Sequence, residues 1–400
     1  MKRNDWISII AAVLVVACFL VVHSIVTRED ESERVVKVGF VFEGDESAPY
    51  SANFIRAQRA LESAYGDRVK ITAVYNQSYA GAEKVIRSLA ESGCEIIFLN
   101  SVGYEEAAKK AAGEFPEVQF CQAAGYTANE EPVLDNFHTF MGEIYQGRYV
   151  SGVVAGLKLR ELIDNRDITA AEAKLGYVGA IPCAEVISGY TAFLLGVRSV
   201  VPQATMVVRY TNTWSSYELE KKAAEALLAE GCVILSQHSD TIGPAVVCEK
   251  ASEKRPVYIV GYNQSMMDVA PTSALVSCRI NWSPYILAAV EAVFANDSIE
   301  RHVKGHVHGH DAGAGFSRDW VQMLELNDYV CAPNTRDVME ATIADLKAGR
   351  IQVFKGDYTG VNFEDPADTI DLSGGYTENR DSSAPSFCYI LQDVVTVRED

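Results

Sequence analysis

The pentapeptide KVGFV at residues 37–41 decides the fold, because it is written a second time as KLGYV at residues 174–178. Each copy is a short apolar run of the kind that forms a buried strand. Further along, LAESGC at residues 89–94 recurs as LLAEGC at residues 227–232. The first pair is separated by 137 positions and the second by 138. The repeat therefore keeps its order and spacing, and it predicts two similar lobes in one chain.

The repeat continues with VQF at residues 118–120, matched by VYI at residues 257–259, now 139 positions apart. Solenoids of short units repeat every ~20 to 50 residues, so this period excludes them. Strand-like runs alternate with helix-like segments in both copies, which predicts a parallel sheet flanked by helices in each lobe. The predicted fold class is α/β, with two such lobes joined by a hinge of several crossings, and a cleft between lobes is a usual place for a ligand.

Three crossings between the lobes are predicted. The strand-like residues 137–140 lead into a helix over 145–162, residues 275–281 lead into a helix over 284–295 that returns to lobe one, and a third crossing lies within 303–316. Several crossings make a hinge that can close two lobes without unfolding either of them. The predicted parts are lobe one, 35–136 with 282–308; lobe two, 137–281 with 309–355; and a C-terminal extension, 356–400, with one strand at 389–397.

The N-terminus carries a candidate membrane segment. Residues 7–26 hold no charge, and as a helix they would span ~30 Å, the thickness of a bilayer core. Lys2 and Arg3 precede this segment and acidic residues follow it, which predicts that the bulk of the chain is extracellular. Cys18 offers an alternative, because VVAC at residues 15–18 resembles a lipoprotein cleavage box. Residues 1–34 are therefore predicted to be a membrane anchor or a lipoprotein signal with a short linker.

The composition is that of an ordinary globular protein, and the net charge limits the kinds of ligand that the chain can bind. Of the 400 residues, 48% are hydrophobic and 22% charged, and the net charge is −19. This acidic balance disfavours nucleic acid and polyanionic ligands. Cys94 opens a predicted strand and Cys121 closes the next one, roughly 10 Å away if the strands are parallel neighbours, which is too far for a disulfide. We therefore expect buried free thiols at these two positions.

Candidate binding residues follow from the predicted sheets, because ligands of open parallel sheets bind beyond the carboxyl ends of the strands. Aromatic and amide side chains dominate these positions, and no lysine or arginine occurs among them. Such a lining suits a flat, polar, uncharged molecule that is stacked between rings and bonded at its edges. In lobe one the positions are Glu43, Asp45, Tyr50, Asn76, Tyr79, Asn100, Ser101 and Tyr104. In lobe two they are Ile181, Pro182, Asn212, Trp214, His238, Asp240, Tyr262 and Asn263.

Several longer strings carry a resemblance to a known family. Residues 37–355 resemble the basic membrane protein family of substrate-binding proteins from ABC importers, which have a type I periplasmic-binding fold. The strings are NSVGY at 100–104, YQGRYVSGV at 145–153, GAIP at 179–182 with Glu185-Val186, Thr213-Trp214, QHSD at 237–240 and NWSPY at 281–285.

The resemblance implies a receptor for a purine nucleobase or nucleoside that delivers its ligand to an ABC permease. It implies stacking rings at or near Tyr50 and Trp214 and polar contacts at Ser101, Asp240 and Asn263, and it adds Trp282 to the candidate site. Nucleoside-binding relatives carry an aspartate where this chain has Asn263. Adenine-type relatives carry an aromatic residue and a histidine in the first loop, where this chain has Ala48 and Ala52. The choice between base and nucleoside therefore stays open.

The sequence carries weaker signals for metal binding and for catalysis. His302, His306, His308 and His310 form the one cluster in the sequence with metal-ligand character, but their alternation also fits a solvated hinge strand, which we favour. No serine elbow or phosphate loop occurs, and no cofactor or metal is expected. We expect a monomeric receptor that works by closure. The alternatives are a membrane-tethered sensor of the same fold and, less favoured, a nucleoside hydrolase that uses Glu185 and His238 as acid and base.

Overall fold

A computed structural model describes residues 34–398. The predicted membrane segment at 7–26 and Cys18 lie outside these described residues. Across residues 34–398, none of the helices combines the length and the apolar character that a bilayer crossing requires.

Lobe one is built on the first copy of the repeat. Val36, Val38 and Phe40 of the first strand are fully buried, because the parallel sheet is covered on both faces. The chain then alternates strands and helices as predicted. The elements are β1 (Val36–Val41), α1 (Pro49–Tyr65), β2 (Val69–Val74), α2 (Tyr79–Glu91), β3 (Ile96–Leu99), α3 (Glu105–Glu114), β4 (Gln119–Ala123) and β5 (Phe137–Gly142).

The long helix α4 (Ile144–Asp164) makes the first crossing and leads into lobe two. Lobe two repeats the order of lobe one. Its elements are β6 (Lys174–Gly179), α5 (Ala184–Val200), β7 (Thr205–Tyr210), α6 (Tyr217–Ala229), β8 (Ile234–His238), α7 (Gly243–Ser252), β9 (Tyr258–Tyr262) and β10 (Ala274–Ile280). The rest of the chain supplies α8 (Ser283–Ala295), α9 (Ile299–His302), β11 (His306–His308), β12 (Asp311–Ala314), β13 (Val321–Met323) and α10 (Thr335–Lys347).

Among the described residues, each lobe holds a seven-stranded sheet with a parallel core. The strand orders are β11-β12-β5-β4-β3-β1-β2 and β13-β10-β9-β8-β6-β7-β17, where β17 is Val395–Arg398 near the C-terminus. Without the outer strands, the cores read β2-β1-β3-β4-β5 and β7-β6-β8-β9-β10, which is the same order in both lobes. The prediction of two similar lobes with parallel sheets is confirmed.

Two lobe boundaries differ from the prediction. Strand β5 pairs with β4, so the first crossing follows Gly142 rather than residue 136. Strand β12 pairs with β5, so the third crossing follows Ala314 rather than residue 308. The hydrophobic pattern locates these strands, but the sheet that accepts them depends on pairing across long sequence distances.

The C-terminal extension is ordered and packed, and the single strand predicted at 389–397 is in fact two strands in different sheets. Strands β14 (Thr359–Asn362), β15 (Thr369–Asp371) and β16 (Tyr389–Leu391) form a small antiparallel sheet. Strand β17 (Val395–Arg398) instead pairs in parallel with β7 at the edge of lobe two.

The cysteine expectation is confirmed, since Cys94 and Cys121 are buried and free.

Candidate ligand-binding site

A cavity with an empty volume of ≈ 460 Å³, part of it open to solvent, lies between the lobes. Eight of the predicted residues line it: Glu43, Tyr50 and Ser101 from lobe one, and Trp214, His238, Asp240, Tyr262 and Asn263 from lobe two. The remaining lining residues are Val102, Ala124 and Glu185. These residues stand at or just beyond the carboxyl ends of strands, or at the start of the helix that follows, as the rule for open parallel sheets requires.

Two predicted residues support the loops behind the cavity instead of lining it. Asn100 is buried, accepts a hydrogen bond from the backbone N–H of Glu43 at 2.9 Å and donates to Ser51 Oγ at 3.2 Å. Tyr104 is fully buried, and its hydroxyl donates to the carbonyl of Gln77 at 2.6 Å. Both side chains therefore fix the shape of the lobe one loops.

Other predicted residues lie outside the lining as well: Asn76, Tyr79, Pro182 and Asn212, and three more with separate reasons. Trp282 is buried in lobe one, where its ring stacks on Phe54 with centroids 4.2 Å apart. Asp45 accepts hydrogen bonds from Ser47 and Asn76, which lower the pKa of its carboxyl to about 2 and hold it within its own loop. Ile181 is half-buried after β6 and does not belong to the described cavity lining.

Val102, Ala124 and Glu185 line the cavity although they were not among the predicted site residues. Ala124 follows β4 directly, as the strand-end rule requires, but alanine has no polar or aromatic side chain that marks it as a binding residue. Its φ of 56° lies in the left-handed region, which is uncommon for alanine. Glu185 lies in the first turn of α5 and belongs to one of the family strings, which was the available signal.

The lobe one wall is held by a chain of hydroxyl contacts. The hydroxyl of Tyr50 donates to the carbonyl of Asn100 at 2.7 Å, which fixes the ring at the cavity edge. The hydroxyl of Tyr79 donates to Glu43 Oε1 at 2.5 Å and accepts from Ser101 Oγ at 3.2 Å. Glu43 is exposed, so this wall stays in contact with water.

In the lobe two wall, His238, Tyr262 and Asn263 are buried, and Trp214 and Asp240 are half-buried. The guanidinium of Arg148 lies 3.7 Å from the ring centroid of Tyr262, behind the cavity, and donates to the carbonyl of Gln237 at 2.8 Å. The ring of His238 packs edge-on against Tyr262 with centroids 4.7 Å apart, and the ring of Trp214 lies 6.3 Å from His238. Three rings thus face the cavity from one lobe, backed by a cation that does not reach the lining.

Burial changes the protonation of this wall. Removal from water, reinforced by the charge of Glu220, raises the pKa of Asp240 to about 8, so its carboxyl is mostly neutral at pH 7. Removal from water, with the charge of Arg148, lowers the pKa of His238 to about 4, so its imidazole is neutral as well. Nε2 of His238 lies 3.2 Å from Glu185 Oε1. The wall therefore offers neutral donors and acceptors beside one carboxylate.

Asn53 and Asn263 join the two lobes directly beside the cavity. Nδ2 of Asn53, on helix α1 of lobe one, donates to both the carbonyl and Oδ1 of Asn263 at 3.1 Å. Nδ2 of Asn263 lies 3.5 Å from Asp240 Oδ1. The lobes are thus in contact, and one bridging residue also lines the cavity.

The histidine cluster predicted at 302–310 is dispersed in the structure. His302 pairs with Asp297, and Nδ1 of His306 lies 3.0 Å from Glu143 Oε1. His310 turns away from both of them toward His138 and Glu300.

Two lobes of matching topology, several crossings and a cavity between the lobes define the class of periplasmic-type solute-binding proteins. Residues 35–329 match the family described as ABC transporter substrate-binding protein PnrA-like, and the chain belongs to this family. The resemblance found in the sequence is therefore confirmed.

Individual relatives are more distant. A purine-binding protein of Brucella abortus is 29% identical over 329 residues, which cover 81% of this chain and 85% of the relative. A Haloferax volcanii protein, provisionally named a glucose-binding protein of an ABC transporter, is 30% identical over 238 residues, 60% of this chain and 56% of the relative. A solute-binding protein of Conexibacter woesei shares the fold, with a TM-score of 0.62 at 18% identity over 79% of this chain and 98% of that one.

Proposed function

We propose that this protein is the external receptor of an ABC importer and that it binds a purine nucleobase or nucleoside between its lobes. The observation that carries the proposal is the cavity lining, in which aromatic rings from both lobes stand beside amide and carboxyl groups. A planar base satisfies such a lining, because its faces stack on rings and its edge offers both donors and acceptors.

The charges of the lining support a neutral ligand. No lysine or arginine is among the described lining residues, so a phosphate group would meet Glu43 and Glu185 without a cation to balance it. Asp240, mostly neutral at pH 7, can donate one hydrogen bond and accept another, which matches the paired donors and acceptors on the edge of a base. The relative from Brucella abortus that is named purine-binding supports the same ligand class.

Closure of the lobes, rather than catalysis, is the proposed mechanism. A ligand that touches Tyr50 on one lobe and Trp214 on the other stabilises the closed form by its additional contacts there. The bridge from Asn53 to Asn263 shows that side chains of both lobes meet beside the cavity. The closed form would then dock on the permease, and the predicted N-terminal anchor or lipid would keep the receptor at the membrane.

A titration of the full-length protein with candidate ligands tests the proposal. Hypoxanthine, adenine, inosine, adenosine and glucose would be titrated calorimetrically into protein freed of co-purified ligand, and the released ligand identified by mass spectrometry. We expect at least one purine to bind and glucose to give no heat. Binding of glucose without any purine would replace the proposal with a sugar receptor, the second candidate, which the relative from Haloferax volcanii favours.

Incubation of the protein with inosine separates binding from hydrolysis. A receptor returns inosine unchanged, whereas an enzyme using Glu185 and His238 would release free hypoxanthine and ribose. Release of base that is lost in the variant Glu185→Gln would contradict the receptor mechanism.

A further inference from the structure

Three residues of lobe one, two of them far from the third in the sequence, meet at one point away from the inter-lobe cavity. They are His138 on β5, Glu300 on α9 and His310 in the turn before β12. Nδ1 of His138 lies 2.7 Å from Glu300 Oε1, and Nδ1 of His310 lies 3.0 Å from the same oxygen. Their potential ligand atoms all lie within 4.8 Å of one another.

The backbone holds the two histidines side by side. Strands β5 and β12 are parallel neighbours, with Thr139 beside Asp311, so His310, in the turn directly before β12, lies beside His138 of β5. The N–H of Thr139 donates to the carbonyl of His310 at 3.0 Å, which fixes this register. The pairing of the two strands therefore sets the position of the two histidines.

His138 has an oxygen acceptor on its outer nitrogen. Nε2 of His138 lies 2.8 Å from Gln119 Oε1, whereas Nε2 of His310 lies 3.7 Å from the exposed carboxylate of Asp135, beyond hydrogen-bond distance. The acceptor on His138 can hold the ring proton on Nε2, which frees Nδ1 for a metal, the usual arrangement around metal-bound histidine. Without an ion, the Nδ1 atoms of both histidines lie at hydrogen-bond distance from Glu300 Oε1, and a cation between the three groups would take the place of the protons that join them.

The carboxylate is accessible enough to take part. The Glu300 side chain keeps 18% of its surface exposed, whereas His138 is almost fully buried. An ion can therefore enter from the Glu300 side.

We propose that His138, His310 and Glu300 form a binding site for a zinc-type divalent cation, with water in the remaining position. Two imidazole nitrogens and one carboxylate oxygen suit Zn²⁺, Co²⁺ or Ni²⁺ better than Ca²⁺ or Mg²⁺, which prefer oxygen ligands alone. Zinc would lie ~2.0–2.2 Å from each donor, and the donors would spread by a few tenths of an ångström to admit it. Glu300 is able to make this shift, because it is on the one-turn helix α9.

The ion would join three segments beside the hinge. His138 precedes the first crossing by a few residues, and His310 precedes the third. Occupancy would therefore stiffen the lobe one end of two crossings without touching the cavity.

Zinc binding to the full-length protein tests the site. The protein would be stripped with a chelator, dialysed, and titrated with Zn²⁺ by calorimetry and with Co²⁺ by visible absorption. We expect one ion per chain and the intense absorption of tetrahedral Co²⁺. Removal of the outer acceptor in Gln119→Ala should weaken zinc roughly 10–100-fold, and loss of a ligand in His310→Ala or Glu300→Gln should weaken it further.

His308→Ala is the matched control, because it removes a histidine from the same hairpin that is outside the cluster. It should bind zinc as the wild type does. Zinc should also raise the melting temperature of the wild type and of His308→Ala, but not that of His310→Ala. A cooperative melting transition in each variant without zinc shows that the variant is folded. Absence of zinc binding in the wild type, or equal binding in His310→Ala, would overturn the proposal.

Discussion

In lobe two the crossing helix α4 packs on α5 backbone against backbone, whereas in lobe one the crossing helix α8 packs on α1 through aromatic side chains. A Cβ added at Gly152 of α4 would lie 2.0 Å from the carbonyl oxygen of Phe193. A Cβ added at Gly196 of α5 would lie 2.1 Å from the carbonyl oxygen of Tyr149. In lobe two, therefore, the two helices meet where neither has a side chain.

The equivalent pair in lobe one keeps its helices apart with rings. Phe54 of α1 stacks on Trp282 with centroids 4.2 Å apart, and Tyr65 stacks on Phe294 with centroids 5.1 Å apart. Both α1 and α5 follow the first strand of their lobe, and both crossing helices arrive from the other lobe. The same topology therefore admits two packing solutions, one by close approach and one by added volume.

The comparison predicts that lobe one is most sensitive to deletion of a ring. Phe54→Ala removes the stacking partner of Trp282 and leaves a cavity, which should cost about 3–5 kcal/mol of unfolding free energy. Denaturant unfolding measures the change, and Phe54→Leu should recover much of it because leucine fills part of the volume. A loss below 1 kcal/mol in Phe54→Ala would mean that the stack does not hold the lobe together.

Lobe two should be sensitive to a single added carbon. Gly196→Ala forces α4 and α5 apart at a backbone contact that cannot rotate away, and we expect a loss of about 3 kcal/mol, the upper part of the range for overpacking. Gly113→Ala is the control, since an added Cβ there has no atom within 4 Å. Equal stability of the two variants would show that the close approach is not required.

The two walls of the cavity should also differ in how strongly a substitution weakens ligand binding. Trp214→Ala removes a ring from the lobe two wall and should weaken purine binding at least tenfold, because one stacking face is worth ~1 to 3 kcal/mol. Val102→Ala, at the exposed rim of lobe one, should change affinity little. Calorimetric titration compares the two, and unchanged affinity in Trp214→Ala would remove this residue from the site.

The smallest effect is a pH dependence confined to lobe two. The pKa of Asp240 is about 8 in the folded chain, against 3.8 for an ordinary aspartate, so between these values the folded state keeps a proton that the unfolded state releases. Stability contributed by this group therefore falls as pH rises toward 8. Asp240→Asn lacks this loss, and its melting temperature should rise relative to wild type between roughly pH 6.5 and 8.

The choice of pH range and a control variant separate the contribution of Asp240 from that of other titrating groups. His238 is present in both proteins, so the slope that its unfolded-state titration adds near pH 6.5 cancels in the comparison. The pKa of Asp45 is about 2, so Asp45→Asn should run parallel to wild type over the same window. A constant offset between Asp240→Asn and wild type across this range would show that Asp240 is already ionised.

Residues after strands could be located from the sequence, but not all of them turned out to line the cavity. Trp282 belongs to a family string, yet its ring fills the core of lobe one, because α8 crosses back and needs that volume. Ala124 and Asn263 hold equivalent positions after β4 and β9, with φ of 56° and 64°. Asparagine is a usual residue for this backbone conformation and alanine is not, so only the second position carried a visible signal.

The sequence did not indicate which residues and strands far apart in the chain would meet. The histidines at 302–310 were visible as a cluster, but His310 meets His138 because β12 pairs with β5. The same pairing moved two lobe boundaries. The C-terminal strand prediction failed in a similar way, because β16 and β17 are consecutive in the chain but join different sheets.

The sequence by itself determined the two lobes, their parallel sheets and the strand ends at which a ligand could bind. Each of these rests on hydrophobic periodicity, which is a local property repeated along the chain. The tertiary structure alone decided which strand-end side chains face the gap, which ones fill a core, and how each crossing helix packs. These outcomes depend on volume and backbone approach between segments far apart in the chain, and no local pattern encodes them.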